Sequence, residues 1–143
     1  MSVEHNKALV RRLYEEGLNK GNLAVVDEII APNYVRHGLA RGAPLGPEST
    51  KQVFTMMRTA FPDLRVTVEP MVGEGHMVAA QLTLRGTHKG EFMGIAPTGK
   101  QVTVTTIGIY RFAGNKLEEA WIQMDELGML QQLGVVPPVG KGS

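Results

Sequence analysis

The sequence predicts an α+β domain, and two changes of period carry that reading. Up to Phe61 the apolar residues recur at helical spacing, whereas from Leu64 to Met124 they largely alternate, the period of a strand with one buried face. Leu127, Leu130 and Leu133 then return to helical spacing before Gly134. Helices first and strands afterwards is the α+β order. The expected architecture is therefore a curved antiparallel sheet of about four long strands packed against three N-terminal helices, with a short C-terminal helix.

Each element has a local reason. Leu9, Val10, Leu13, Tyr14, Gly17 and Leu18 share one side of a first helix that begins near Val3 and runs out at Asn19-Lys20-Gly21. Asn22 is placed to cap a second, short helix with Val26, Ile29 and Ile30 on one side, stopped by Ala31-Pro32. Tyr34-Val35-Arg36-His37 reads as a short extended piece before the Gly- and Pro-rich loop of Gly38 to Pro47. Pro47 suits the first turn of a third helix whose stripe is Val53, Phe54, Met57 and Phe61 and whose end is set by Pro62.

In the second half, Leu64, Val66 and Val68 pair across a Gly73-Glu74-Gly75 turn with Val78, Ala80, Leu82 and Leu84. Gln101 to Phe112 and Lys116 to Met124 form a second hairpin across Gly114-Asn115. Val102, Val104, Ile107 and Ile109 do not keep one parity, which predicts a bulge near Thr105-Thr106. Apolar residues on both faces there predict that one face meets the helices and the other a second copy of the chain, most simply as a dimer.

The chain of 143 residues reads as one domain, 1–143, able to bury a single core without staples, with 136–143 as a frayed tail. Cysteine is absent, which removes disulfides, thiolate catalysis and cysteine-held metals together. Fifteen Lys and Arg against 14 Asp and Glu, scattered, give no footprint of a nucleic-acid binder. Neither a signal-peptide pattern nor the ~20 apolar residues of a membrane span is present, so a cytoplasmic location away from membranes is expected. A small apolar or aromatic molecule is the expected partner.

Three motifs bear on chemistry. Asp125 stands at the strand-to-helix junction, where a carboxylate either caps the helix or serves as a general acid or base; Trp121 and Gln123 share its side of the strand. Gly94 to Lys100 matches the start of a phosphate-binding loop, but Gln101 replaces the magnesium-holding Ser or Thr and a strand follows, so it is a tight connection. The histidines, His5, His37, His76 and His88, show no metal-ligand spacing. His5 and His76 fall at solvent-facing ends. His37 and His88 flank loops that would open onto an enclosed cavity, where each is either an ordinary hydrogen-bonded ring or an acid–base group. Methionines Met56, Met57, Met93, Met124 and Met129 fill core or line an adaptable pocket.

Taken in order, NYVRH, FPDL, GTHKGEFMGIAPTGK, IYRF and EEAWIQMDELGMLQQLG resemble the SnoaL-like polyketide cyclase family, also called ester cyclases, of the NTF2-like superfamily, over about Val3 to Gly134. The resemblance implies a conical apolar pocket, oligomers built on the sheet, and chemistry needing neither cofactor nor metal. In the family's anthracycline cyclases an Asp on the last strand closes a ring by intramolecular aldol chemistry, with a Gln and a His on the preceding strand. Here the corresponding positions hold Ile122, Thr106 and Gly108, so that apparatus does not carry over.

Two classes of function follow. One is a cofactor-free acid/base enzyme, of cyclase, isomerase or lyase type, with His37 or Asp125 as acid or base. Its ligand would be held by Tyr34, Phe54, Met57, His88, Trp121 and Gln123. The other is a non-catalytic ligand-binding or assembly module. Epoxide-hydrolase-like water activation is a third reading, for which no acid–Arg–acid arrangement is evident.

Overall fold

The computed structural model describes residues 2–38 and 44–137, and orders them as α1 (Val3–Arg12), a π-helical continuation (Leu13–Asn19), α2 (Ala24–Ile29), β1 (Ile30–His37), α3 (Pro47–Ala60), β2 (Arg65–Glu74), β3 (Met77–Thr87), β4 (Gln101–Ala113), β5 (Lys116–Met124) and α4 (Glu126–Leu133). The five strands form one sheet in the order β1-β5-β4-β3-β2. All neighbours are antiparallel except β1, which lies parallel to β5 at the edge. The fold is α+β, as the periods predict.

The alternation of the strands decides the two faces. Val66, Val78, Leu82, Leu84, Val102, Val104, Tyr110 and Ile122 are buried on the inner face together with Val10, Leu13, Phe54, Met57 and Phe61 of the helices. Ile107, Ile109 and Trp121 stand exposed on the outer face. The first helix is tied to this core at its end by Asn19, whose side chain both donates to and accepts from the Val66 backbone at 2.8 and 2.7 Å. Arg58 of α3 donates to the last carbonyls, of Leu18 and Asn19, where a cation is also favoured by the helix dipole.

Four sequence expectations need correction. Asn22 does not cap α2 through its side chain: Leu23 holds the cap position, and Asn22 contributes only its backbone carbonyl. Ile30 to His37 is a full strand, for which Pro32 is no obstacle because an edge strand needs no inward ladder donor there. No bulge occurs near Thr105-Thr106, since β3 and β4 pair without a shift from Met77↔Arg111 to Thr87↔Gln101; the irregularity in β4 against β5 lies between Arg111 and Phe112. The isoleucines that suggested a bulge simply occupy the outer face. His5, expected in solvent, has a buried Nε2.

Residues 39–43 of the predicted loop and, from 138 on, the predicted frayed tail lie outside the described residues. Among the described residues no helix is long and apolar enough to cross a membrane.

Candidate functional site

A cavity of about 50 Å³ opens between the helices and the inner sheet face. The first helix supplies Tyr14 and Leu18 from its π-helical stretch, and α3 supplies Val53, Phe54 and Met57. Val66, Leu82 and Leu84 form the sheet wall, with Thr106, Ile122, Met124 and Arg36 completing it. The walls are aliphatic and aromatic; the polar atoms come from Tyr14, Thr106 and Arg36. The volume is well below the ~300 Å³ at which small-molecule sites usually begin, so a multi-ring ligand requires the flexible Met57 and Met124 side chains to repack.

Beside the cavity, Tyr14 Oη and Tyr110 Oη lie 2.6 Å apart. Tyr110 is wholly enclosed, and its hydroxyl occupies the space above Gly108, where a Cβ would come within 2.5 Å of it. Burial pushes the phenols of Tyr14, Tyr34 and Tyr110 above their ordinary value, Tyr110 well above it, while the nearby Arg36 charge pulls the other way on all three. All three are therefore neutral hydroxyls near pH 7. Arg36 Nε is buried without a hydrogen-bond partner, and among the described residues no carboxylate pairs with this guanidinium.

The predicted site residues separate into three groups. Phe54 and Met57 line the cavity, and Tyr34 is buried on the Arg36 side of β1 without lining it. His37, Trp121 and Gln123 lie on the outer face, away from the cavity: the His37 side chain is 47% exposed, stacks on Trp121 at 5.5 Å and 12°, and its Nε2 meets Glu119 Oε2 at 2.7 Å. The error is one of parity. Tyr34 and His37 are three apart, so on a strand they face opposite ways, and Arg36, two after Tyr34, takes the inner position. The register Arg36↔Ala120 and His37↔Trp121 puts each beside a strand neighbour of its own face.

Asp125 and His88 form the last group, and both hold loops or helices in place. Asp125 is exposed and accepts from Gly128 N–H at 2.9 Å as the cap of α4, an interaction worth about 1 kcal/mol. His88 is fully buried against Phe61, with Nδ1 accepting the Thr98 N–H at 3.2 Å and its own backbone bonded to Lys100 and Gly99. It clips the two ends of the Lys89-to-Gly99 connection together and does not line the cavity. Among the described residues no three His, Asp or Glu side chains converge as a metal site.

Sequence reasoning missed Arg36 and Tyr14 as cavity residues. The signal for Tyr14 was its place on the apolar stripe of the first helix; the signal for Arg36 was the two-residue step from Tyr34, which becomes legible only once β1 is known to be a strand. Thr106 and Ile122, identified by resemblance as replacements for catalytic groups, do face the cavity.

A helix-backed curved sheet enclosing an apolar cavity with a few inward polar groups is the frame of a small-molecule enzyme or binder. Residues 8–133 match the SnoaL-like polyketide cyclase family, to which this chain belongs. It is 30% identical over 126 residues to nogalonic acid methyl ester cyclase of Streptomyces nogalater, covering 87% of this chain and 94% of that one. To aklanonic acid methyl ester cyclase DnrD of Streptomyces peucetius it is 31% identical over 137 residues, covering 94% of each. Among solved structures, IdmH of Streptomyces antibioticus is similar with a TM-score of 0.77 at 35% identity, covering 90% of this chain and 97% of that one.

Proposed function

We propose that this protein is a cofactor-independent, cyclase-type enzyme that performs acid/base chemistry on an apolar, oxygenated, polyketide-like molecule held in a conical pocket. The observation that carries the reading is Arg36: among the described residues its guanidinium has no carboxylate partner, and it faces an apolar cavity beside the Tyr14 hydroxyl. Arg36 is half-buried, and its enclosed Nε stays unsatisfied at a cost of about 1–3 kcal/mol unless a ligand supplies an acceptor there. Similarity to named ester cyclases supports the class of reaction. The same proposal makes the working form a homodimer through the outer sheet face, in the cytoplasm.

The test is incubation with aklanonic acid methyl ester and nogalonic acid methyl ester, the compounds in the relatives' names, without added cofactor. Ring closure by aldol addition leaves the mass unchanged and alters the chromatographic retention, so a new peak of equal mass that disappears in Ile122→Trp, which fills the cavity, is the expected result. The non-catalytic module is favoured by one observation, that Ile122 and Thr106 bring no carboxylate or imidazole to the cavity. Binding of either ester without conversion would select it.

A further inference from the structure

We infer that Arg36 and the Tyr14–Tyr110 hydroxyl pair form an oxyanion site, and that the cavity takes a ligand with an acidic hydroxyl, the enol of a 1,3-dicarbonyl or a phenol, bound as its conjugate base. The inference rests on the ligand-cavity reading above and adds the chemical group recognised there.

Three observations lead to it. The first is the state of Arg36. A guanidinium stays charged at every pH a protein meets and offers donors in a planar fork suited to an oxygen anion. Arg12, Arg58 and Arg111 meet carboxylates or backbone carbonyls, whereas Arg36 Nε is buried without a partner and no carboxylate pairs with the group among the described residues. Such a charge is complementary to an anion delivered by a ligand.

The second is the phenol pair. Two hydroxyls at 2.6 Å share one of their protons between them and leave the other free. Tyr110 is enclosed, with Tyr14 as its hydroxyl partner, so with Tyr110 donating, the Tyr14 proton is free for the cavity that Tyr14 lines. Burial keeps both phenols protonated, as donors to an anion rather than acceptors from an acid. Gly108 makes the pair possible, because any side chain there would take the space of the Tyr110 hydroxyl.

The third is what the lining lacks. Among the described residues, the titratable groups that feel Arg36 are Tyr14 from the first helix, Tyr110 from β4 and Tyr34 from β1 itself. Among the described residues no Asp, Glu or His lines the cavity to draw a proton from a weakly acidic carbon. A ligand whose own hydroxyl ionises near neutral pH removes that need. Its enolate carbon is then already nucleophilic, and the site stabilises the oxygen that carries the charge.

The probe is p-nitrophenol, a single ring that asks little repacking of a small cavity and whose phenolate absorbs at longer wavelength than the phenol. Its neutral isostere, p-nitrotoluene, reports the cavity alone by equilibrium dialysis. The expected result is that saturating protein lowers the apparent pKa of p-nitrophenol by about one unit or more, a tenfold preference for the phenolate. That preference should be lost in Arg36→Met, retained in part in Arg36→Lys and reduced severalfold in Tyr14→Phe, with p-nitrotoluene binding kept in all three. If p-nitrotoluene binds but phenol and phenolate bind equally, or if Arg36→Met keeps the preference, the oxyanion site is overturned and the ligand cavity stands. If p-nitrotoluene does not bind, both fall. Should Arg36→Met fail to fold, the wild-type titration and Tyr14→Phe decide alone.

Discussion

The hydroxyls of Tyr14 and Tyr110 meet at 2.6 Å between the first helix and the sheet, and the missing side chain of Gly108 leaves the room for that contact. A Cβ at position 108 would stand 2.5 Å from Tyr110 Oη and 2.7 Å from Cζ, so Gly108→Ala cannot be absorbed without moving a buried ring. Overpacking of this kind costs about 1–3 kcal/mol. The melting temperature should fall by roughly 3 °C per kcal/mol for a chain of this size. Calorimetry showing no change in Gly108→Ala would mean the ring is free to move.

The same phenols set the alkaline limit of stability. Burial raises the values of Tyr14, Tyr34 and Tyr110 in the folded state above the ordinary 10.0. Below that pH both folded and unfolded chains keep the protons, and stability is insensitive to these groups. As pH rises past about 10 the unfolded chain ionises first, so each phenol withdraws up to about 1.4 kcal/mol per pH unit until its folded value is reached. Urea unfolding between pH 9 and 11 should show this fall, with a shallower slope in Tyr110→Phe; an unchanged slope would remove Tyr110 from the account.

Asp125 is a cap and lies outside the cavity. Asp125→Ala should lose about 1 kcal/mol of stability and Asp125→Asn only a small part of it, because Asn accepts the Gly128 N–H about as well. Neither should change turnover of whatever substrate is found. Equal destabilisation by Asn and Ala would end the capping account.

Glu119 governs part of the acid limit. The hydrogen bond from His37, followed by that from Arg111, holds its carboxyl below the ordinary 4.5. A carboxylate lowered in the folded state stabilises above its unfolded value, and that contribution is lost as pH falls from about 4.5 through the lower folded value. Glu119→Gln should flatten the acid limb of an unfolding profile over that window. His37→Gln should leave turnover as it is, since the ring stacks on Trp121 on the outer face; a lost activity would return His37 to the site.

Ile107, Ile109 and Trp121 present apolar surface side by side on the outer sheet face. Light scattering at micromolar concentration should give a dimer, and Ile109→Lys should give a monomer that still binds p-nitrotoluene. A wild-type monomer mass would sink the dimer.

The residues by themselves determined the α+β class, the three N-terminal helices and both hairpins, because each follows from local periods and turn chemistry within a few positions; they placed Asp125 at a cap position but left it open between cap and acid–base group until the Gly128 N–H contact settled it. Of the strand Ile30 to His37, only the extended piece Tyr34 to His37 was legible, and neither its full length nor its pairing was. That strand exists through a parallel pairing with β5, which lies far along the chain, and an edge strand containing Pro32 carries little local signal. The identity of the cavity residues hung on that pairing, since a strand presents alternate residues to opposite faces and a shift of one position exchanges them. Only the tertiary register, Arg36 beside Ala120 and His37 beside Trp121, decided that the arginine faces the cavity and the histidine the outer surface. The meeting of Tyr14 with Tyr110 is likewise a contact between residues 96 positions apart, which packing creates and no local pattern announces.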